Sequence, residues 1–331
     1  MSLRFGAVAF LAGCLAASTA ALGGDQPPAA PVPDDLAATA ASYDSCGDVG
    51  CADWGCGGIN FGGSTGLVAG FEMTFLKPHI NAAESIAIIP GLPLTEIEDN
   101  EYNASPRFWL GYVGDSGLGW RIRWWEFNHT LNGETFEIVG IDDILVDSLG
   151  GLEVEALDIE MTQEIDLGLW DMTVGGGVRY GRTEHVTAQL YDDVLMAEFD
   201  DLALASDFDG IGPTLFAEMR RPVGCNGFAL VGNMRASLLF GEDKLAAGFD
   251  DTDEGLLLVE TAQDNVVGVL EAQLGGEYSS DIGCGTRVFA RGMAEGQLWT
   301  DATRQINIAA NSIESSDIGL VGLTFGIGLA R

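Results

Sequence analysis

The sequence predicts an all-β chain that closes as an antiparallel transmembrane β-barrel of ten strands, with short turns at one end and long acidic loops at the other. Three observations predict it. From Gly66 onward, apolar residues recur at every second position in one stretch after another, the period of a strand with one greasy face. Long and short connections then take turns along the chain, which places every long loop at the same end. Beyond the N-terminal segment there is no run of about 18 apolar residues, so a helical membrane span is not expected. A soluble sandwich explains the period but gives no reason for the loop asymmetry.

The elements follow in order. The first stretch sets Leu67, Ala69, Phe71, Met73 and Phe75 against Glu72 and Thr74. The second and third flank "GDSG": Phe108, Leu110 and Tyr112 come before it, and Leu118, Trp120, Ile122 and Trp124 after it. The fourth sets Leu157, Ile159 and Met161 against Asp158, Glu160 and Thr162. The fifth opposes Met172, Val174, Val178 and Tyr180 to Asp171, Thr173 and Arg179. In the sixth, Leu215, Ala217 and Met219 oppose Thr214, Glu218 and Arg220; in the seventh, Leu230, Met234, Leu238 and Phe240 oppose Asn233, Arg235 and Ser237. The eighth alternates Leu270, Leu274 and Tyr278 with Glu271, Gln273 and Glu277, and the ninth Val288 and Ala290 with Arg287, Arg291, Glu295 and Gln297. The tenth ends the chain with Val321, Leu323, Phe325, Ile327 and Leu329 on one side. A twelve-stranded reading requires "ESIAIIP" and "ETFEIVGI" to cross the membrane, which breaks the loop alternation, so both are read as extensions beyond the bilayer.

The N-terminus explains how such a chain meets a membrane. Residues 1–21 carry one early positive charge, Arg4, then an apolar run and small residues, the pattern of a secretory signal. The alternative is a lipoprotein signal, in which "LAG" before Cys14 makes that thiol an acylation site. Residues 22–64 form a Pro- and Ala-rich linker followed by a cysteine-containing periplasmic segment, and residues 65–331 form the barrel. Export combined with a strand-built span points to the outer membrane of a Gram-negative-type bacterium, with the short turns periplasmic and the long loops external. Outer-membrane lipid and the barrel-assembly machinery are the expected partners.

Charge narrows the function. Fifty acidic residues stand against 15 basic ones, a formal net charge of -35, which argues against nucleic acid as a partner. The scarce arginines fall on the polar face of the strands, where a lipid-facing charge would cost about 2–4 kcal/mol at mid-depth. The expected interior set is therefore Arg121, Arg123, Asp158, Glu160, Asp171, Arg179, Glu218, Arg220, Arg235, Glu271, Arg287, Arg291 and Glu295, with Glu72 and Glu277 beside them. Such a set either pairs into a salt-bridge network that braces a closed barrel or separates its charge across a water-filled constriction. Ten strands about 4.8 Å apart and tilted roughly 40° give a tube on the order of 20 Å between backbones, and with Trp125 and Phe127 also pointing inward the bore is under about 10 Å. The first expectation is a narrow pore for ions or small polar solutes, in which Arg123→Glu alters selectivity and leaves folding intact. The second is a closed structural or adhesive barrel acting through its acidic loops.

Other candidates are weaker. Carboxylates at Asp200, Asp201, Asp207 and Asp209 could hold calcium, but no complete calcium-loop spacing is present. His79, His129 and His185 fall near the outer ends of strands without the paired aspartates a catalytic rim needs, so no enzyme and no cofactor are expected. Cys46, Cys51, Cys56, Cys225 and Cys284 would meet an oxidising compartment, and disulfides are a better reading than zinc for their spacing. A homo-oligomer leaves no mark in a single sequence.

"FDGIGPTLFAEMRRPVGCNGFALVGNMRASLLFG" at Phe208 to Gly241, with "GGVRYGR" before it and "VLEAQLGGEYSS" after it, resembles the Legionella-type major outer-membrane protein family, which is also found in planctomycetes. "RFWLGYVGDSGLGWRIRWWEF" and "LVGLTFGIGLA" extend the resemblance over most of Gly66 to Arg331. It implies a pore-forming barrel and supplies no catalytic residues.

Overall fold

The computed structural model describes residues 65–80, 101–132, 136–138, 144–192, 201–224, 226–250, 257–283, 285–307 and 312–331. They form eleven antiparallel strands: β1 Gly66–Ile80, β2 Asn103–Val113, β3 Leu118–Asn132, β4 Phe136–Ile138, β5 Ile144–Asp166, β6 Asp171–Asp192, β7 Asp201–Pro222, β8 Phe228–Asp250, β9 Leu257–Gly283, β10 Thr286–Asn307 and β11 Ser312–Ala330. Apart from β3 and β4, sequence neighbours pair; β1 pairs with β11 and β3 with β5, which closes a ring of ten. The three-residue β4 lies beside β5 outside that ring. It comes from "ETFEIVGI", the segment read as an extension. "ESIAIIP" lies outside the described residues.

The side chains divide as the period-two pattern requires. Leu67, Phe108, Trp120, Ile159, Leu215, Leu274 and Ile327 are all exposed on the outer wall, while Glu72, Arg123, Asp158, Arg179, Arg235 and Glu295 are buried inside. The ladders run through the band from strand to strand around the closed ring, the condition for crossing hydrocarbon without a helix. The short connections are the expected ones. At "GDSG", Gly117 N donates to Gly114 O at 2.9 Å, and Gly117 takes a φ of 75°, which glycine adopts without a Cβ penalty. Gly70 is needed for a different reason. A Cβ there would sit 2.4 Å from the Trp109 indole, which lies flat across the inner wall and stacks on Phe289 at 6.0 Å.

The strands run further outward than the sequence boundaries suggest. β6 and β7 continue to Asp192 and from Asp201, and β8 and β9 continue to Asp250 and from Leu257, so much of what reads as acidic loop is ladder-paired wall. The reason lies on the opposite face. Leu204, Leu245 and Ala247 form a small buried apolar cluster inside this upper wall, and burying it keeps the strands together above the membrane.

Candidate functional site in the barrel interior

The interior is built in layers, and each strand contributes to them in order. On β3, Arg121 and Arg123 precede Trp125 and Phe127; on β8, Arg235 precedes Leu239; on β10, Glu295 precedes Trp299. Counting from the short-turn end, a charged layer therefore comes first and an apolar layer above it.

In the charged layer the ladder sets opposite charges face to face: Arg121 against Glu160 and Arg123 against Asp158, Asp158 against Arg179, Glu72 against Arg107 and Arg235 against Glu271. Contacts across the lumen join these pairs. Arg179 donates to Asp158 at 2.6 and 2.9 Å and lies 2.6 Å from Glu271. Arg123 reaches Asp158 at 3.1 Å and Glu271 at 2.7 Å. Arg107 joins Glu72 at 3.0 Å to Glu295 at 2.5 Å, Arg291 holds Glu72 at 2.8 Å, and Arg121 holds Glu218 at 2.6 Å. Arg235 donates to Glu160, and Thr324 to Glu295. Six arginines (107, 121, 123, 179, 235 and 291) thus meet six carboxylates (72, 158, 160, 218, 271 and 295), a neutral set with its signs interleaved. The charge separation considered from the sequence is not what these residues form. The space left among them is about 30 Å³, bordered by Arg121, Arg123, Glu218, Glu271 and Arg291, room for about one water.

The apolar layer consists of Trp125, Phe127, Leu152, Val154, Phe208, Leu239, Trp299 and Leu320, none more than 1 % exposed. Trp125 and Phe127 were expected inside; the others escaped notice, though the sequence signals them. On β5 the apolar positions are even up to Ala156 (152, 154, 156) and odd from Leu157 (157, 159, 161). The phase flips without a bulge, because at that height lipid outside gives way to water and charge inside gives way to a core. The doublets Trp124–Trp125 and Ala156–Leu157 mark the same flip.

All thirteen expected interior residues lie on the inward face. Arg121, Arg123, Asp158, Glu160, Arg179, Glu218, Arg235, Glu271, Arg291 and Glu295 belong to the paired charged layer, where Glu218 and Arg291 also border the vestibule below. Asp171, Arg220 and Arg287 lie below it in a vestibule of about 400 Å³ on the short-turn side, where Arg220 binds Glu277 at 2.9 Å and Asp171 at 3.3 Å. Arg107, only 1 % exposed, also belongs to the inward face; it lies one residue before Phe108, the first residue the alternation assigns to the second stretch.

Above the apolar layer the interior is polar again. His129, Thr183, His185, Ser206, Asp243 and Arg304 are buried there, beyond Phe240, the last lipid-facing apolar residue of β8. His129 and His185 thus point inward, and only His79 of the three faces out. Burial holds the His185 imidazole down at about 4 and pushes the Asp243 carboxyl up to about 6, against the pull of Arg304.

Outside, Asp207 of the expected calcium set pairs with Arg182 at 3.1 Å, and Asp209 is exposed on the same face of β7. Asp200 and the Asp201 side chain lie outside the described residues. Among the described residues, the carboxylates that converge are Glu126, Glu153 and Glu155, on the outer face just above the lipid band. Cys46, Cys51, Cys56, Cys225 and Cys284 also fall outside the described residues, although the turn holding Cys225 touches β9 through Ser279 N and Gly227 O at 2.8 Å.

In solved structures, similarity is found to the outer membrane protease OmpT from Escherichia coli (10% identity, 80% of this chain and 96% of that one, TM-score 0.44). Similarity is also found to a major outer membrane protein from Thermus thermophilus (9% identity, 80% and 98%, TM-score 0.36) and to a Pseudomonas aeruginosa FadL homologue (10% identity, 80% and 90%, TM-score 0.27). No curated protein matches. The family model described as Legionella pneumophila major outer membrane protein precursor matches residues 64–330. The chain belongs to that family of outer-membrane proteins, and it is an outer-membrane β-barrel.

Proposed function

We propose that the protein is a closed, non-enzymatic outer-membrane barrel that acts through the wall and loops it raises above the membrane. One observation carries this reading: the lumen is filled at two successive heights, by the paired charges around Arg179 and Asp158 and then by the apolar layer around Phe127 and Trp299, with Arg179, Asp158, Phe127 and Trp299 all 0% exposed. A passage would have to break ion pairs whose partners cannot be rehydrated singly without large cost and also wet a dry apolar constriction. Interior charge in this arrangement braces the wall. The acidic outer surface, with Glu126, Glu153 and Glu155 at the membrane edge, is the part offered to the surroundings, and a structural or adhesive role follows from it.

The narrow pore is the second reading. What supports it is the charged vestibule of about 400 Å³, which shares Glu218, Asn233 and Arg291 with the small cavity in the sealed layer, so that re-pairing of side chains could join the two. Planar-bilayer recording of the refolded protein separates the readings. Silence across salt concentration and voltage, with heat-modifiable electrophoretic mobility proving an intact barrel, is the expected result. Discrete, reproducible current steps would replace the closed barrel with the pore.

A further inference from the structure

The upper part of β10 does not stay in the wall. It leaves β9 after Thr300, opposite Gly268, while β9 continues beside β8 as far as Leu257. At that height the β10–β11 register slips, from Trp299 opposite Ile318 to Thr303 opposite Ser316. Two extra residues thus stand on β10. Asp301 sits in this bulge with a φ of 56°, the one non-glycine residue among those described with positive φ, a conformation that persists only when its surroundings hold it.

From the bulge onward, β10 bonds to inward-facing side chains of four strands of the ring. Asn265 Nδ2 of β9 donates to Asp301 O at 2.9 Å. Thr183 Oγ1 of β6 donates to Ala302 O at 2.6 Å. Arg304 N donates to Ser206 Oγ of β7 at 2.9 Å, and the Arg304 side chain lies 3.4 Å from Asp243 of β8. We propose that the upper β10–β11 ladder, residues 302–307 with 312–317, is a hinged lid, folded into the mouth of the barrel at the Asp301 bulge and latched there by Thr183, Ser206, Asp243 and Asn265. Swinging it out uncovers the polar inner wall that carries His129 and His185, above the apolar layer.

The latch is built to be left. Above the bulge the described part of β10 pairs with β11 alone, and the described β1–β11 ladder ends at Ile80 opposite Ile318, so among the described residues the upper β10–β11 ladder is separate from the ring. The latch is also incompletely satisfied: Arg304 Nη1 and Asp243 Oδ1 are both buried without a hydrogen-bond partner among the described residues, and both regain water when the lid leaves. This inference concerns access from outside and holds whether the layers below conduct or not.

Hydrogen–deuterium exchange on the unaltered protein in detergent is the first test. Amides of 302–307 and 312–317 should exchange together and faster than those of 288–298; equal protection throughout β10 would overturn the lid. The double variant Thr183→Val, Ser206→Ala removes two latch hydroxyls and should speed exchange of the lid on the order of tenfold. It should also admit trypsin at Arg304, releasing Gln305–Arg331, which the unaltered protein resists. An intact variant barrel with unchanged exchange and no cleavage, or ready cleavage of the unaltered protein at Arg304, would overturn the latch.

Discussion

Arg123 shows how much of a buried charge's behaviour depends on its partners. Its guanidinium lies between Asp158 and Glu271, at 3.1 and 2.7 Å, with an exposure of 8%. In an open bore, Arg123→Glu would change ion selectivity and spare folding. In the observed packing it places a third carboxylate beside two others in a largely buried site, and breaking one buried pair alone already costs about 3–5 kcal/mol. The expected outcome is failure to refold into vesicles, read as loss of the fast-migrating unboiled band; a normally folded variant would mean that the layer is open to water. Asp243 gives a signature in pH. Its carboxyl titrates at 3.8 when unperturbed and at about 6 where it lies, facing Arg304 of β10, Asn265 of β9 and, further off, Asp207 of β7. The folded state holds the proton more tightly, so the contribution of Asp243 is full below the unfolded value and is lost as pH rises from about 4 through about 6. Between pH 5 and 7.5 the urea midpoint of the natural protein should therefore fall further than that of Asp243→Asn. Parallel falls would show that Asp243 does not titrate in this window.

At the scale of elements, register was legible and extent was not. A one-residue slip on β3 would point Arg121 and Arg123 into lipid and Trp120 and Ile122 inward, so the alternation alone determines which face is which; the ladder places Arg121 opposite Glu160 and Arg123 opposite Asp158. The membrane supplies that legibility, since it penalises every polar side chain facing outward. Above the bilayer the penalty disappears. On β5, Glu153 and Glu155 face outward while Leu152 and Val154 pack inside, and a pattern that reads as strand in lipid reads there as acidic loop. Upper β10 was least legible. Nothing in "TDATRQIN" announces that it leaves the ladder, because its partners Thr183, Ser206 and Asp243 are each tens of residues away in sequence and come together only once the barrel has closed.

At the scale of the whole molecule, the surplus negative charge is confined to where water is. The six arginines and six carboxylates of the paired layer cancel, so the net -35 resides outside that layer, and the lipid band has no place for it. A 23-residue strand such as β5 rising about 3.3 Å per residue at a tilt of roughly 40° spans on the order of 55–60 Å, against about 30 Å of hydrocarbon. Much of the wall therefore stands in water as a ring of strands whose exposed acids repel one another. Added salt screens such repulsion over a Debye length of about 8–10 Å near physiological ionic strength, but hardly reaches pairs buried with Arg179 and Glu295. Raising NaCl from 10 to 150 mM in a neutral detergent should consequently stabilise the barrel and raise its urea midpoint. A midpoint that drops with salt would mean that attractive surface pairs such as Arg182–Asp207, 3.1 Å apart and about one-third exposed, outweigh the repulsion around them.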